Sequence, residues 1–94
     1  MVDTSQLLNS LEDYKSALDR HYAVLRERHA ALHRAWTALA DVYDGEAARD
    51  FAEAYEQADA KFRAYLESGE MIQAQLDRKI ADLRRFDSRN VPGL

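Results

Sequence analysis

Val42-Tyr43-Asp44-Gly45-Glu46, at the middle of a 94-residue chain, separates two long stretches of helical periodicity and holds one of only three glycines. Glycine admits the positive φ that a sharp reversal of the chain requires. Asp44 suits the N-cap of a following helix, because a short carboxylate accepts hydrogen bonds from the first free backbone N–H groups. Glu46 then falls in the first turn, where the helix dipole favours negative charge. A tight turn over residues 43–45 is predicted, with a helix of about residues 4–42 before it and one of about 46–88 after it. At the front, Asp3 or Thr4 is placed to cap the first helix, and Gln6 stands three residues beyond Asp3 as in a capping box. Pro92 and Gly93 mark residues 89–94 as a flexible tail. The length allows a single domain, residues 1–94.

The periodicity gives the fold class. Leu11, Leu18, Leu25, Leu32 and Leu39 recur every seven residues. Leu7, Tyr14, His21, Arg28, Ala35 and Val42 fill the alternate core spacing of a heptad. A flank of Leu8, Tyr22, His29, Trp36 and Tyr43 widens the face beyond a two-helix seam. The second half repeats the pattern with Tyr55, Phe62, Gly69, Leu76 and Leu83, partnered by Phe51, Ala58, Tyr65, Ile72 and Phe86. Lys79 interrupts that second series, and Ala48, Ala52, Leu66 and Ile80 broaden the face. The expected fold is all-α, an antiparallel two-helix hairpin. Folding about residue 44 sets Leu32 opposite Tyr55, Leu25 opposite Phe62, Leu18 opposite Gly69 and Leu11 opposite Leu76.

A lone hairpin buries only part of faces this wide. Two hairpins dimerising into a four-helix bundle supply the missing layer. The partner is expected to be a second copy or a similar small helical protein, giving a homodimer or a heterodimer. The expected partner-binding residues are Leu8, Leu18, Tyr22, Leu25, His29, Trp36, Tyr43, Phe51, Phe62, Tyr65 and Ile72.

Composition removes several function classes. The chain is 47% apolar and 32% charged, with a formal net charge of −4. A nucleic-acid binder needs a basic stripe to neutralise phosphates, so no nucleic-acid partner is expected. An acidic polar face is also unfavourable at an anionic lipid surface. No stretch approaches the roughly 18 apolar residues of a membrane span, so no membrane insertion is expected. There is no cysteine, hence no disulfide or thiolate metal site. The start, Met1-Val2-Asp3-Thr4-Ser5-Gln6, lacks the basic and apolar segments of a signal peptide. No nucleophile with an adjacent base and no phosphate loop is found, so neither enzyme activity nor a cofactor is expected.

Single residues carry narrower expectations. His29 and His33 stand four apart, a spacing that can hold a metal, but no third ligand follows at helical spacing and none is expected to bind. His21 and Arg28 occupy core spacing, either as a polar layer that sets partner register or with their heads reaching the rim. If either sets specificity, Glu67 or Glu70, or their equivalents in a partner, are the candidate counter-charges for His21. Trp36 reads as core near the turn or as a partner anchor. Gly69 reads as a point of close helix approach opposite Leu18 or of a slight bend, or as tolerated drift. Arg78, Lys79, Arg84 and Arg85 place basic charge at the end of the second helix, where the dipole favours it; the alternative is binding to an acidic surface.

The run Ala35-Trp36-Thr37-Ala38-Leu39-Ala40-Asp41-Val42-Tyr43-Asp44-Gly45-Glu46-Ala47-Ala48-Arg49-Asp50-Phe51 has a tryptophan near the end of one helix, a glycine-bearing turn, small residues, then an aromatic. With the later series Phe62, Tyr65, Leu66, Ile72, Leu76, Ile80, Leu83 and Phe86, it resembles the WXG family of roughly hundred-residue helical hairpins, the ESAT-like substrates of type VII secretion. The turn motif consists of Trp36, Tyr43, Asp44 and Gly45, with Trp36-Thr37-Ala38 where the family has Trp-x-Gly and the glycine displaced to Gly45. The resemblance implies a protein that is cytoplasmic before export and then secreted as a small helical dimer without a cleaved signal peptide. Alternatively it would serve as the helical targeting partner of a type VII effector, recognised by a secretion ATPase. The family's Tyr-x-x-x-Asp/Glu export signal would follow the second helix, where Phe86-Asp87-Ser88-Arg89-Asn90 stands instead. A partner chain is then expected to carry that signal. The competing reading is a cytosolic coiled-coil adaptor or chaperone-like assembly protein.

Overall fold

A computed structural model describes residues 4–89, with side chains described through Phe86. Helix α1 runs Thr4–Ala40 and α2 runs Glu46–Arg89. The two pack antiparallel along a rod whose longest dimension is 74 Å, and no strand occurs among the described residues. The hairpin is as expected. Asp3 and the tail beyond Arg89 lie outside the described residues, so the Asp3 cap and the tail expectation are left there.

The turn differs in detail. The first helix stops at Ala40, two residues early, and the connection spans 41–45. The chain tightens as it leaves α1: Val42 N–H donates to the Leu39 carbonyl at 3.1 Å, and Tyr43 N–H donates to the same oxygen at 2.9 Å. Thr37 Oγ1 donates back to the His33 carbonyl at 2.9 Å, a local bond that competes with helix continuation. The N-cap of α2 is Gly45, not Asp44, since the Gly45 carbonyl accepts the first helical bond from Arg49 N–H at 3.1 Å. Gly45 has φ +104°. Asp44 sits one residue outside, its Oδ1 accepting from Gly45 N–H at 2.8 Å.

The helices are rotated relative to the expected faces. On α1 the row that points at α2 is Leu8, Lys15, Tyr22, His29 and Trp36, all buried or half-buried. On α2 the inward rows are Tyr55, Phe62, Gly69, Leu76 and Leu83 together with Ala52, Asp59, Leu66, Gln73 and Ile80. The flank expected to face a second layer is thus the seam of the hairpin itself. Tyr22, Leu66 and Ile80 are its most buried large residues, at 3%, 8% and 5% exposure.

The pairing lies one helical turn further along α1 than expected. Phe62 stacks on His29 (centroids 5.1 Å) rather than facing Leu25. Tyr55 stacks on Trp36 (4.7 Å) rather than facing Leu32. Gly69 faces Tyr22 rather than Leu18. Helical side chains lean toward their own N-terminus. In an antiparallel pair the leans are opposed, so residues whose tips meet have Cα positions offset along the axis. That offset acts in the observed direction.

Candidate functional site

The two sides of the hairpin are chemically unlike. On a helix, residues four after and three after a seam position fall on opposite flanks of it. Four after the α1 seam come Glu12, Asp19 and Arg26, and four after the α2 seam come Asp59, Leu66, Gln73 and Ile80. This flank is latched. Arg84 Nη2 lies 2.9 Å from Glu12 Oε1, Lys15 Nζ 3.1 Å from Asp77 Oδ1, and Arg26 Nη2 3.6 Å from Glu70 Oε1. Gln73 bridges two residues of α1, donating to Asp19 at 2.7 Å and accepting from Arg26 at 3.3 Å. Leu66 and Ile80 are buried on this same flank, so the polar bonds close it over apolar core.

These contacts hold charge in fixed places. The hydrogen bonds that Lys15 donates to Asp19 and Asp77 keep its ammonium above its ordinary value. Lys15, and then Gln73, hold the Asp19 carboxyl below the usual carboxylate range. Nearer the turn, His29 Nε2 is 2.6 Å from Asp59 Oδ1, and Arg63 Nε is 2.9 Å from Asp59 Oδ2. The hydrogen bond with His29 first, and the Arg63 charge after it, keep the Asp59 carboxyl low. His29 is therefore engaged inside the hairpin. Among the described residues no group of three His, Asp or Glu side chains is placed to hold a metal.

The opposite flank is open and apolar. Three after the α1 seam comes the leucine row Leu11, Leu18, Leu25, Leu32 and Leu39, and beside it Leu7, Tyr14, His21, Arg28 and Ala35. Three after the α2 seam come Ala58, Tyr65 and Ile72. Leu32 is 62% exposed and Tyr14 57% exposed, and Leu7, Leu39, Phe51, Tyr65 and Ile72 are exposed as well. A shallow groove of about 260 Å³, lined by His29, Leu32, Tyr55, Ala58, Asp59 and Phe62, lies between the helices. The most regular heptad in the sequence is thus only partly covered by the hairpin: Leu11, Leu18 and Leu25 are half-buried, and Leu32 and Leu39 are exposed.

The expected partner-binding residues divide accordingly. Leu8, Tyr22, His29, Trp36 and Phe62 pack within the hairpin. Leu18 and Leu25 are half-buried at the edge of the open flank. Tyr43, Phe51, Tyr65 and Ile72 are exposed. Within the hairpin His21 Nε2 is 3.2 Å from the Tyr65 hydroxyl, while Glu70 lies near Arg26. Trp36, near the turn, lies 5.4 Å from Phe51 and stacks on Tyr55. The latch was missed in the sequence. Its signal was Glu12, Asp19 and Arg26 recurring every seven residues beside the seam, with Gln73, Asp77 and Arg84 as their counterparts.

The fold and this face define a helical hairpin with one closed and one open side. Compared with known proteins, the chain matches no family model, no curated protein and no solved structure. No helix among the described residues is long and apolar enough to cross a membrane.

Proposed function

We propose that this chain is a non-enzymatic protein that acts by pairing its open side with a second helical chain. One observation carries the reading: Leu7, Tyr14, Leu32, Leu39, Phe51, Tyr65 and Ile72 lie exposed on one flank while the opposite flank is sealed by cross-helix bonds. A heptad seam specifies a helical neighbour, and contiguous apolar surface on this scale marks a protein contact. A folded 10.8 kDa chain of ordinary shape exposes roughly 5,500 Å². This one exposes 7451 Å². The surplus exceeds the roughly 800 Å² that each partner contributes to a standard interface.

The form of pairing we propose is ESAT-like, in a type VII secretion system. Two full-length helices, a glycine turn and Trp36 packed on Tyr55 near that turn support it. The pair is either secreted or targets an effector. The test is export. Tagged chain, expressed with its neighbouring genes, reaches the medium in a strain with an intact type VII ATPase and is retained when that ATPase is deleted. Retention in both strains rejects the secretion role and favours a cytosolic adaptor.

A further inference from the structure

We infer that the turn carries a spontaneous covalent modification site: the Asp44 carboxyl condenses with the backbone nitrogen of Gly45, and hydrolysis of the resulting ring leaves an isoaspartyl link between the helices. The site is independent of pairing. Ring closure needs a side-chain carboxyl carbon beside the following backbone nitrogen, and nothing shielding that nitrogen. Asp44 and Gly45 are both exposed and lie outside the two helices. Asp44 Oδ1 is 2.8 Å from Gly45 N, so the carboxyl carbon, one bond away, already stands by its nucleophile. Holding two groups of one chain together in this way replaces a collision with an intramolecular step. Gly45 has no Cβ to crowd the attack. A Cβ there would meet no atom within 4 Å, so no neighbouring side chain covers that side of the residue. Asp44 is the only aspartate followed by glycine, and the chain has no Asn-Gly. Asp41, also in the connection, precedes the β-branched Val42, whose N–H donates to the Leu39 carbonyl at 3.1 Å. Each aspartate inside α1 or α2 is followed by a residue with a Cβ, whose N–H belongs to the helix ladder.

The reaction balances with water alone. The Gly45 nitrogen bonds to Cγ of the protonated carboxyl; the carboxyl loses its OH and the nitrogen its proton, and the two leave as water. The product is a five-membered succinimide. Water then adds to one of its two carbonyls. Cleavage of the Cγ–N bond restores aspartate. Cleavage of the bond from the Asp44 backbone carbonyl to nitrogen frees that carbonyl as a carboxylate and leaves the chain running through Cβ and Cγ. Net charge is unchanged, and the backbone between Asp44 and Gly45 gains one atom. That atom falls where the reversal is made. Gly45 holds φ +104°, and its carbonyl accepts the first bond of α2 from Arg49 N–H at 3.1 Å. A longer link displaces this cap and loosens the start of α2. Ala48, 8% exposed, and Phe51, its ring 5.4 Å from that of Trp36, lie on the turns that follow. Conversion therefore weakens the turn end of the seam as the protein ages.

The test keeps the full chain in warm neutral buffer for several weeks and maps it at intervals. Trypsin releases Ala35–Arg49, which holds both Asp41 and Asp44. The expected result is a second form of this peptide with the same mass, cut by endoproteinase Asp-N at Asp41 but not at position 44, and a transient form lighter by one water. Peptides from the helical aspartates stay single. Asp44→Glu, which keeps the charge but would need a six-membered ring, abolishes the second form, and Gly45→Ala slows its appearance. The melting midpoint of the aged chain falls as the converted fraction grows, and emission from Trp36, the sole tryptophan, shifts with it. Aged Asp44→Glu shows neither change. Complete cutting at position 44 after ageing, or equal conversion of the helical aspartates, overturns the site. A converted chain that melts as the fresh chain does overturns its effect on the turn.

Discussion

The ring of Tyr22 on α1 packs against Gly69 on α2 and occupies the space that a Cβ at that position would need. A Cβ at position 69 would sit 2.8 Å from Tyr22 Cδ1 and closer still to Cε1 and Cζ. Tyr65, one turn before Gly69, completes the pocket, its ring 5.6 Å from that of Tyr22. A hydrogen bond with Tyr65, and burial after it, hold the Tyr22 phenol above its ordinary value. The close approach of Tyr22 gives a glycine inside a 44-residue helix its reason.

Gly69→Ala therefore tests a conflict of two effects. Helix propensity alone favours alanine by about 1 kcal/mol. Overpacking against a buried ring costs about 1–3 kcal/mol. The expected result is a net loss of up to about 2 kcal/mol in chemical denaturation. Combining it with Tyr22→Leu recovers part of that loss, as a double-mutant cycle detects. Stabilisation by Gly69→Ala alone would show that the ring is elsewhere.

At the turn, Gly45→Ala isolates backbone strain. No atom lies within 4 Å of the would-be Cβ, so the cost comes from φ +104° alone. A loss of about 1–2 kcal/mol is expected in the melting of the hairpin. An unchanged melting curve would mean that the turn does not hold this conformation in solution.

Tyr55 has a buried hydroxyl with no hydrogen-bond partner among the described residues, while its ring stacks on Trp36. Removing an unsatisfied hydroxyl relieves desolvation cost without losing the stack. Tyr55→Phe is expected to leave stability unchanged or raise it by up to about 1 kcal/mol, measured by urea unfolding. A loss of stability would show that the hydroxyl holds a hydrogen bond in solution.

The latch sets the pH dependence. Asp19 and Asp59 both titrate below their ordinary value. Their stabilisation is complete above the unfolded carboxylate value of about 3.9 and is lost as pH falls through the lower folded values. Lys15 titrates above its ordinary 10.5, so its contribution holds below that value and is lost as pH rises past it. The thermal midpoint is expected to fall from about pH 5 to about pH 3, and Asp59→Asn to flatten that fall. An acid limb unaltered by Asp59→Asn would remove Asp59 from the latch.

The fold was legible because the heptads and the lone central glycine agree on two helices and one reversal. Which face each helix turns inward was not. Leu11 through Leu39 form the cleaner pattern, yet the seam is the row of Leu8, Lys15, Tyr22, His29 and Trp36. Lys15, Asp59 and Gln73 disguise that seam, since a charged or amide side chain reads as solvent-facing until its cross-helix partner is in place. The open face was visible as residues but was taken for the hairpin's own core.

The mass of the isolated chain in solution, measured by light scattering alongside its thermal melting, tests most directly whether the hairpin is made to pair. A particle larger than 10.8 kDa, either a dimer alone or a one-to-one complex with a co-expressed helical neighbour, is the predicted result, with melting that moves to higher temperature as concentration rises. A 10.8 kDa monomer that melts cooperatively at a concentration-independent temperature, with or without neighbours, would contradict it.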